Sequence, residues 1–271
     1  KKIPISSGFH SAFQEFSRFF DLAFLVKPIQ RYLCWFHNNT QLTCVPSQDT
    51  AHSLQALGVN CPMAVVGRGV DVECFHPQYA SAQLRRRWGA DDQTTVLLYV
   101  GRLSPEKEVD IIIQAYIALQ KSNQQKTLLV IVGDGPEATK LKHLSAQNKV
   151  IFTGSLSGTR LSEAYASADV FVFASQVETF GNVVLEAMAS GLAVVAYDRA
   201  CAHQYVKHQQ SGWLCAVGDT TSFVRQIQQL PQREVLKHMG KNAQQDIQDV
   251  GWQRPVQQFE QALYSATRVI L

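Results

Sequence analysis

The sequence predicts an α/β protein: a doubly wound domain with a parallel sheet, preceded by part of a second domain of the same general kind. Two observations carry this. From Val96 onward, short apolar runs alternate with helical patterns, which is the signature of parallel strands joined by crossover helices. Before that, about 70 residues hold too few strand patterns to complete a sheet of their own.

The chain opens on Lys1-Lys2-Ile3 and runs at once into a strand-like Ile3-Pro4-Ile5. It reads as cut from a longer protein. Ser11 to Phe36 has helical spacing, with Phe13, Phe16, Phe20 and Phe24 recurring every three or four residues. Leu42 to Pro46 and Met63 to Val66 are short strands, and Pro77 to Trp88 reads as a connecting helix. Thr95-Val96-Leu97-Leu98-Tyr99-Val100 is apolar throughout and stops at Gly101, as a strand buried on both faces does. A helix follows over Asp110 to Leu119. Further strands are expected at Leu128 to Val132, Val150 to Phe152, Val170 to Phe173 and Ala193 to Ala196. Gly251-Trp252 precedes an amphipathic helix carrying Val256, Phe259 and Leu263.

Composition narrows the class of protein. Of 271 residues, 46% are hydrophobic and 17% charged, so the chain can bury a sizeable core. A net charge of +3 gives no reason to expect nucleic acid, and the Arg85-Arg86-Arg87 run reads as a solvated helix face. Six cysteines show neither a C-x-x-C pair nor zinc-ligand spacing, which favours reduced thiols in the cytosol. No apolar stretch reaches the roughly 18 residues that a membrane span needs.

Ligands of open parallel sheets sit in the loops that follow the strands, and three such loops carry chemistry. In Gly101-Arg102-Leu103-Ser104-Pro105-Glu106-Lys107, Gly101 allows a sharp turn, while the fork of Arg102 and the compact charge of Lys107 suit a diphosphate. The same residues also fit an ordinary surface ion pair around Glu106. Glu178-Thr179-Phe180-Gly181-Asn182-Val183-Val184-Leu185-Glu186 leads into a helix whose first amides, around Gly181 and Asn182, favour an anion. Glu178 and Glu186 flank that start, placed to accept hydrogen bonds from hydroxyl-rich ligands; acids near a helix start are also favoured by its dipole alone. Gly133-Asp134-Gly135-Pro136-Glu137-Ala138 matches G-x-G-x-x-A and raises a dinucleotide reading. Against it, no acidic residue follows the strand at Phe152, and Pro136 makes a helix start by itself. His10, at a strand-to-helix turn, and Arg68, flanked by Gly67 and Gly69, complete the candidates.

Taken together these segments resemble the retaining glycosyltransferases of family 4, which have the two-domain GT-B fold. G-R-L-S-P-E-K, V-G-D-G-P-E, F-T-G, Y-A-S-A-D-V, E-T-F-G-N-V-V-L-E and A-S-G-L-A-V-V-A-Y-D stand in family order. S-G-F-H near the start, G-R-G-V-D at Gly67 to Asp71 and the Trp252 helix extend the match to essentially the whole chain. The similar subgroup contains bacterial α-mannosyltransferases that use GDP-mannose and plant-type sulfolipid synthases. The resemblance implies residues 1–75 as the remainder of an acceptor-side domain, 76–250 as a nucleotide-sugar-binding domain, and 251–271 as a helix crossing back. It implies that Arg102 and Lys107 hold the donor diphosphate, with Gly101, Gly133 and Gly135 in the same set of loops. Glu178 would contact hydroxyls of the transferred sugar and Glu186 those of the ribose. Phe180, Gly181, Asn182 and Val183 would support phosphates and sugar, and His10 would reach the sugar.

The expected reaction is hexosyl transfer, with mannose as the first choice of sugar and GDP-mannose as the first choice of donor ahead of UDP-glucose. The acceptor would be a lipid or a saccharide. No cofactor or metal is expected, in keeping with the lack of an Asp-x-Asp signature. A cytoplasmic protein is expected, at the inner face of the cell membrane if the helix carrying Phe13, Phe16, Phe19 and Phe20, with Lys1, Lys2 and Arg18 nearby, meets lipid. A nucleotide-sugar epimerase and a non-catalytic nucleotide-sugar-binding module are the other functional readings. Two features depart from the family: its glycine-rich loop and acceptor-binding strands are absent before His10, and Arg199 and Cys201 replace an expected aromatic and a small residue.

Overall fold

The computed structural model describes residues 3–10, 23–122 and 125–268. The chain divides into two compact units: residues 1–69, 177–180 and 250–271 form the first, and residues 70–176 and 181–249 the second.

The first unit contains a three-stranded parallel sheet in the order β1 (Ser6–Gly8), β2 (Leu42–Val45), β3 (Met63–Val65). The opening strand lies later than Ile3-Pro4-Ile5. Ser6 to Gly8 pair with Leu42 to Cys44, whereas Ile3 and Ile5 are exposed and Pro4 has no N–H to donate. A polar cluster makes Ser7 a suitable strand residue: its Oγ lies 3.0 Å from His37 Nδ1 and 2.9 Å from Thr43 Oγ1. The middle strand β2 is buried at every position, with apolar clusters on both faces. One joins Phe9, Val45, Ala51, Leu54 and Val59 to Val177; the other joins Leu42 and Cys44 to Ala262 and Ala266. Helix α1 (Val26–Asn38) and helix α2 (Gln48–Leu57) follow β1 and β2. Ser47 starts α2 by accepting from Thr50 N at 3.2 Å, and Gly58 ends it in the left-handed region. The helix expected over Ser11 to Phe36 is present from Val26; Phe13, Phe16, Phe19, Phe20, Arg18, Lys1 and Lys2 lie outside the described residues.

The second unit holds a six-stranded parallel sheet in the order β6-β5-β4-β7-β8-β9. Its strands are β4 (Thr95–Val100), β5 (Thr127–Val132), β6 (Val150–Gly154), β7 (Val170–Phe173), β8 (Ala193–Tyr197) and β9 (Gly212–Cys215). Strands β4, β7 and β8 are buried at every residue, which explains why they read as unbroken apolar runs. Helices α4 (Val109–Ser122), α7 (Asn182–Ala189), α9 (Thr220–Gln228) and α10 (Arg233–Asp246) join α3 (Ala82–Trp88), α5 (Ala138–Leu144), α6 (Thr159–Ala166) and α8 (Ala200–Tyr205) around it. Helix α11 (Gln253–Arg268) belongs to the first unit.

Three expectations need correction here. The sheet has a sixth strand, β9, which four residues beginning with glycine gave little pattern to betray; a Cβ on Gly212 would lie 2.2 Å from Val194 O. The connecting helix starts at Ala82 rather than Pro77, because Ser81 caps it by accepting from Leu84 N at 3.2 Å, while Pro77 opens a separate short turn. The arginine run is not one solvated face either. Arg86 and Arg87 are exposed, but Arg85 is buried, pairing with Asp169 at 3.1 Å and donating to the carbonyls of Ser167 and Thr94.

Candidate active site

Strand order places a topological switch between β4 and β7: from β4 the sheet runs out through β5 and β6, and from β7 through β8 and β9. The crevice of an open α/β sheet forms at such a point, beyond the carboxyl ends of the two strands. Gly101 to Glu108 follow β4, and Ala174 to Gln176 follow β7. Lys107 joins the two loops, since its ammonium donates to Ser175 Oγ at 3.1 Å and stands 5.6 Å from the centre of the Phe173 ring. The Arg102 side chain is exposed and has no hydrogen bond or ion pair to the described residues. The surface ion pair considered for this loop is not formed with Glu106, which is buried and accepts from Ser104 Oγ at 2.6 Å.

The neighbouring glycines act by letting backbones meet. Leu103 N donates to Asp134 O at 2.9 Å and Glu137 N to Leu103 O at 3.0 Å, so the loops after β4 and β5 are fastened together. A Cβ on Gly133, whose φ is +134°, would lie 1.9 Å from Gly101 O, and one on Gly135 would lie 2.3 Å from Leu103 O. The G-x-G-x-x-A spacing thus has a packing cause in this chain.

Gly181, in the left-handed region, leads into α7, so Asn182 and Val183 supply its first amides. Glu186 lies one turn further on. Its carboxylate accepts from the hydroxyl of fully buried Tyr165 at 2.9 Å. Burial pushes the Glu186 carboxyl up, while the Tyr165 hydrogen bond pulls the other way. Burial also raises the Tyr165 hydroxyl well above its ordinary value, and the Glu186 charge adds to that.

The remaining candidates belong to the first unit. His10 Nδ1 accepts from Arg68 Nη2 at 3.0 Å. That contact holds the imidazole as the tautomer with its proton on Nε2. Burial first, and the Arg68 charge second, lower its basicity. The His10 carbonyl accepts from Thr179 Oγ1 at 3.0 Å, and Thr50 Oγ1 donates to the Thr179 carbonyl at 3.4 Å. Val177 is buried in the core of this unit and Phe180 is buried as well, so Glu178 sits on a segment secured on both sides. The structure therefore gathers His10, Arg68, Glu178 and Phe180 in one unit. It gathers Gly101, Arg102, Lys107, Gly133, Gly135, Gly181, Asn182, Val183 and Glu186 in the other.

Sequence reasoning missed Tyr165, Ser175, Gln176 and Glu108, which hold the candidate groups. Tyr165 was in view within Y-A-S-A-D-V, yet a tyrosine on a helix reads as core and nothing in the pattern names its partner. Among the described residues, no group of three or more His, Cys, Asp or Glu side chains could hold a metal ion, and no helix is long and apolar enough to cross a membrane.

The chain is 31% identical to the sulfoquinovosyl transferase SQD2 of Arabidopsis thaliana over 97% of its own length and 52% of the relative's. It is 41% identical to a GDP-mannose-dependent alpha-mannosyltransferase of Mycobacterium tuberculosis over 68% of this chain and 47% of that one. The chain spans about half the length of these curated relatives. Among solved structures, Anabaena HepE in complex with UDP and glucose superposes with a TM-score of 0.80 at 22% identity, covering 97% of this chain and 71% of that one. Sucrose-phosphate synthase of Thermosynechococcus elongatus gives 0.79 at 22%, covering 98% and 68%. Likeness at those identities establishes the fold, of the GT-B type. Residues 1–74 match the Glycosyltransferase Family 4 model, and with residues 80–246 matching the model of the glycosyl transferases group 1, the chain belongs to that glycosyltransferase family.

Proposed function

We propose that the chain is the donor-binding part of a retaining glycosyltransferase that moves a hexose from a nucleoside diphosphate sugar to a lipid or saccharide acceptor. The observation that carries this reading is the pair of cations at the switch point, Arg102 exposed after β4 and Lys107 tied across to Ser175 of the β7 loop. Departure of a nucleoside diphosphate from an anomeric carbon builds negative charge on the leaving phosphate. Fixed donors aimed at that charge are the expected main catalytic contribution. Arg102 and Lys107 supply them, with the first amides of α7 behind them. Glu186, in the same unit, accepts from the ribose hydroxyls. Mannose from GDP-mannose is the first choice of donor, supported by the mycobacterial relative, and UDP-glucose the second. The relatives also include a sulfoquinovosyl transferase and an alpha-monoglucosyldiacylglycerol synthase, whose names leave the sugar open.

Calorimetric titration of the chain with GDP-mannose and with UDP-glucose, each in EDTA, tests the reading. Binding of one nucleotide sugar, weakened about tenfold or more by Arg102→Ala as expected for loss of a charge-assisted hydrogen bond, supports it. Binding of neither overturns it. Binding by the chain together with no transfer by the protein in its full length would favour a non-catalytic module, and product formed without any acceptor would favour an epimerase.

A lipid acceptor draws support from α1, which exposes Tyr32, Trp35 and Phe36 beside Lys27 and Arg31, with Phe24 exposed in the turn just before it. Aromatic and basic residues on one helix face suit the interface of an anionic membrane.

A further inference from the structure

Glu108 is the residue after Lys107, and its backbone is left-handed, with φ +46°. Only glycine adopts that region freely, and a bulky residue there carries strain that the surroundings must hold. Here the holding is done by its own carboxylate. One oxygen accepts from the Gln176 side-chain amide, and Oε2 accepts from Tyr197 Oη at 2.8 Å. Gln176 is in turn fixed along its backbone. Its N–H donates to Glu106 O at 2.9 Å, and its carbonyl accepts from Arg199 Nη1 at 2.8 Å. The loops after β4, β7 and β8 are thereby joined at one point. Gln176 is also the last residue of the second unit before the chain passes into Val177–Phe180.

We propose that Glu108 is a positioning residue for the donor diphosphate: its carboxylate clasps Gln176 and Tyr197 so that Lys107 is presented at the switch point, and Arg199 completes the clasp from the loop after β8. This rests on the donor-binding reading above. Strain at a residue next to a binding cation is what pre-organisation of a site looks like, and the three-loop clasp explains why an arginine stands at position 199. Lys107 spends its side-chain freedom once, in the folded protein, and does not have to be ordered again by each ligand.

The test is calorimetric binding of GDP and UDP to the chain and to Glu108→Gly, Glu108→Gln, Lys107→Ala and the double variant Lys107→Ala with Glu108→Gly. Glycine at φ +46° removes the strain together with the clasp, so Glu108→Gly remains folded and its Tm is expected to hold or rise. Its affinity for the nucleotide that the wild type binds is expected to fall about tenfold, the scale of a misplaced site group. Glu108→Gln keeps both contacts, because the Tyr197 hydroxyl can turn to accept from the amide, and restores affinity to within about twofold. In the Lys107→Ala background the same Glu108→Gly change is expected to do nothing further. Unchanged affinity in Glu108→Gly overturns the proposal, and so does a loss that persists when Lys107 is absent. A wild-type chain that binds neither GDP nor UDP instead removes the donor-binding reading itself, and the role of Glu108 with it.

Discussion

Tyr165, with no exposure to solvent, donates its hydroxyl to Glu186 Oε2 at 2.9 Å. A carboxylate one turn inside α7 is thus turned by a group that no solvent competes for. The unfolded carboxyl has a pKa of 4.5, and burial raises it in the folded chain. Stability from the protonated group is therefore complete below 4.5 and is lost as pH rises through the folded value. Glu186→Gln removes that loss. Its Tm is expected to exceed that of the wild type at pH 7 and to match it near pH 4, while nucleotide affinity falls at pH 7. Tyr165→Phe withdraws a hydrogen bond that favours the ionised form, so the pH range over which stability declines moves upward. Thermal melts of the three proteins from pH 4 to 8 check both statements; identical Tm differences at every pH would refute them.

Asp169 is the pivot of a buried ion network. Its Oδ2 accepts from Arg85 Nη1 at 3.1 Å and from Val96 N at 2.8 Å, and its Oδ1 accepts from Arg233 Nε at 2.7 Å. Breaking a buried pair leaves the remaining charge without compensation, at a cost of about 3–5 kcal/mol. Asp169→Asn is expected to lose stability on that scale in urea unfolding. Nucleotide affinity measured under folded conditions should be unchanged, because none of these groups is in the candidate site. A loss below about 1 kcal/mol would mean that water reaches the pair and screens it.

Several elements were readable because their patterns leave little choice. The all-apolar runs of β4, β7 and β8 are buried on both sides, so continuous hydrophobicity marked them correctly. The Ser47 and Ser81 caps and the glycines that end α2 and α3 lie in local sequence, yet α2 was not read from it, and the start of α3 was read too early, at Pro77, as the opening strand was at Ile3. β9 was not readable, since its glycine serves a backbone approach to Val194 rather than a strand pattern. In the site, Arg102 and Lys107 stood out as unusual charges beside a strand end. Their supports did not, because Ser175 and Gln176 lie 68 residues or more from Lys107 and Glu108 in the chain and only the parallel β4–β7 pairing brings those loops together. Glu186 was legible as a charge and Tyr165 was not legible as its partner, for the same reason of distance along the chain.

Two glycines separate packing from binding. A Cβ on Gly240 would lie 1.9 Å from Gly191 O, between α10 and the turn before β8, and one on Gly133 would lie equally close to Gly101 O. Overpacking of this kind costs about 1–3 kcal/mol, so both alanine variants should melt earlier. Only Gly133→Ala displaces the loop that carries Arg102, and only that variant is expected to weaken nucleotide binding. Equal affinities in the two variants would detach Gly133 from the candidate site.

The exposed face of α1 makes the last prediction. Tyr32 and Trp35 have ring centres 6.0 Å apart, with Tyr32 and Phe36 stacked at 6.2 Å, and Trp35 is 63% exposed. Amphipathic rings favour the membrane interface because one part of each is apolar and another can remain hydrated. Lys27 and Arg31 on the same helix add attraction to anionic headgroups that salt screens over roughly 8–10 Å at physiological strength. The chain is therefore expected to sediment with vesicles rich in phosphatidylglycerol, less so with neutral phosphatidylcholine vesicles, and to be released by raised salt. Tyr32→Ala with Trp35→Ala should weaken sedimentation several-fold without moving nucleotide affinity, since the helix belongs to the first unit and the diphosphate loops to the second. Sedimentation that ignores lipid charge, or that survives loss of both rings, would remove this face as a membrane contact and with it the structural support for a lipid acceptor over a saccharide.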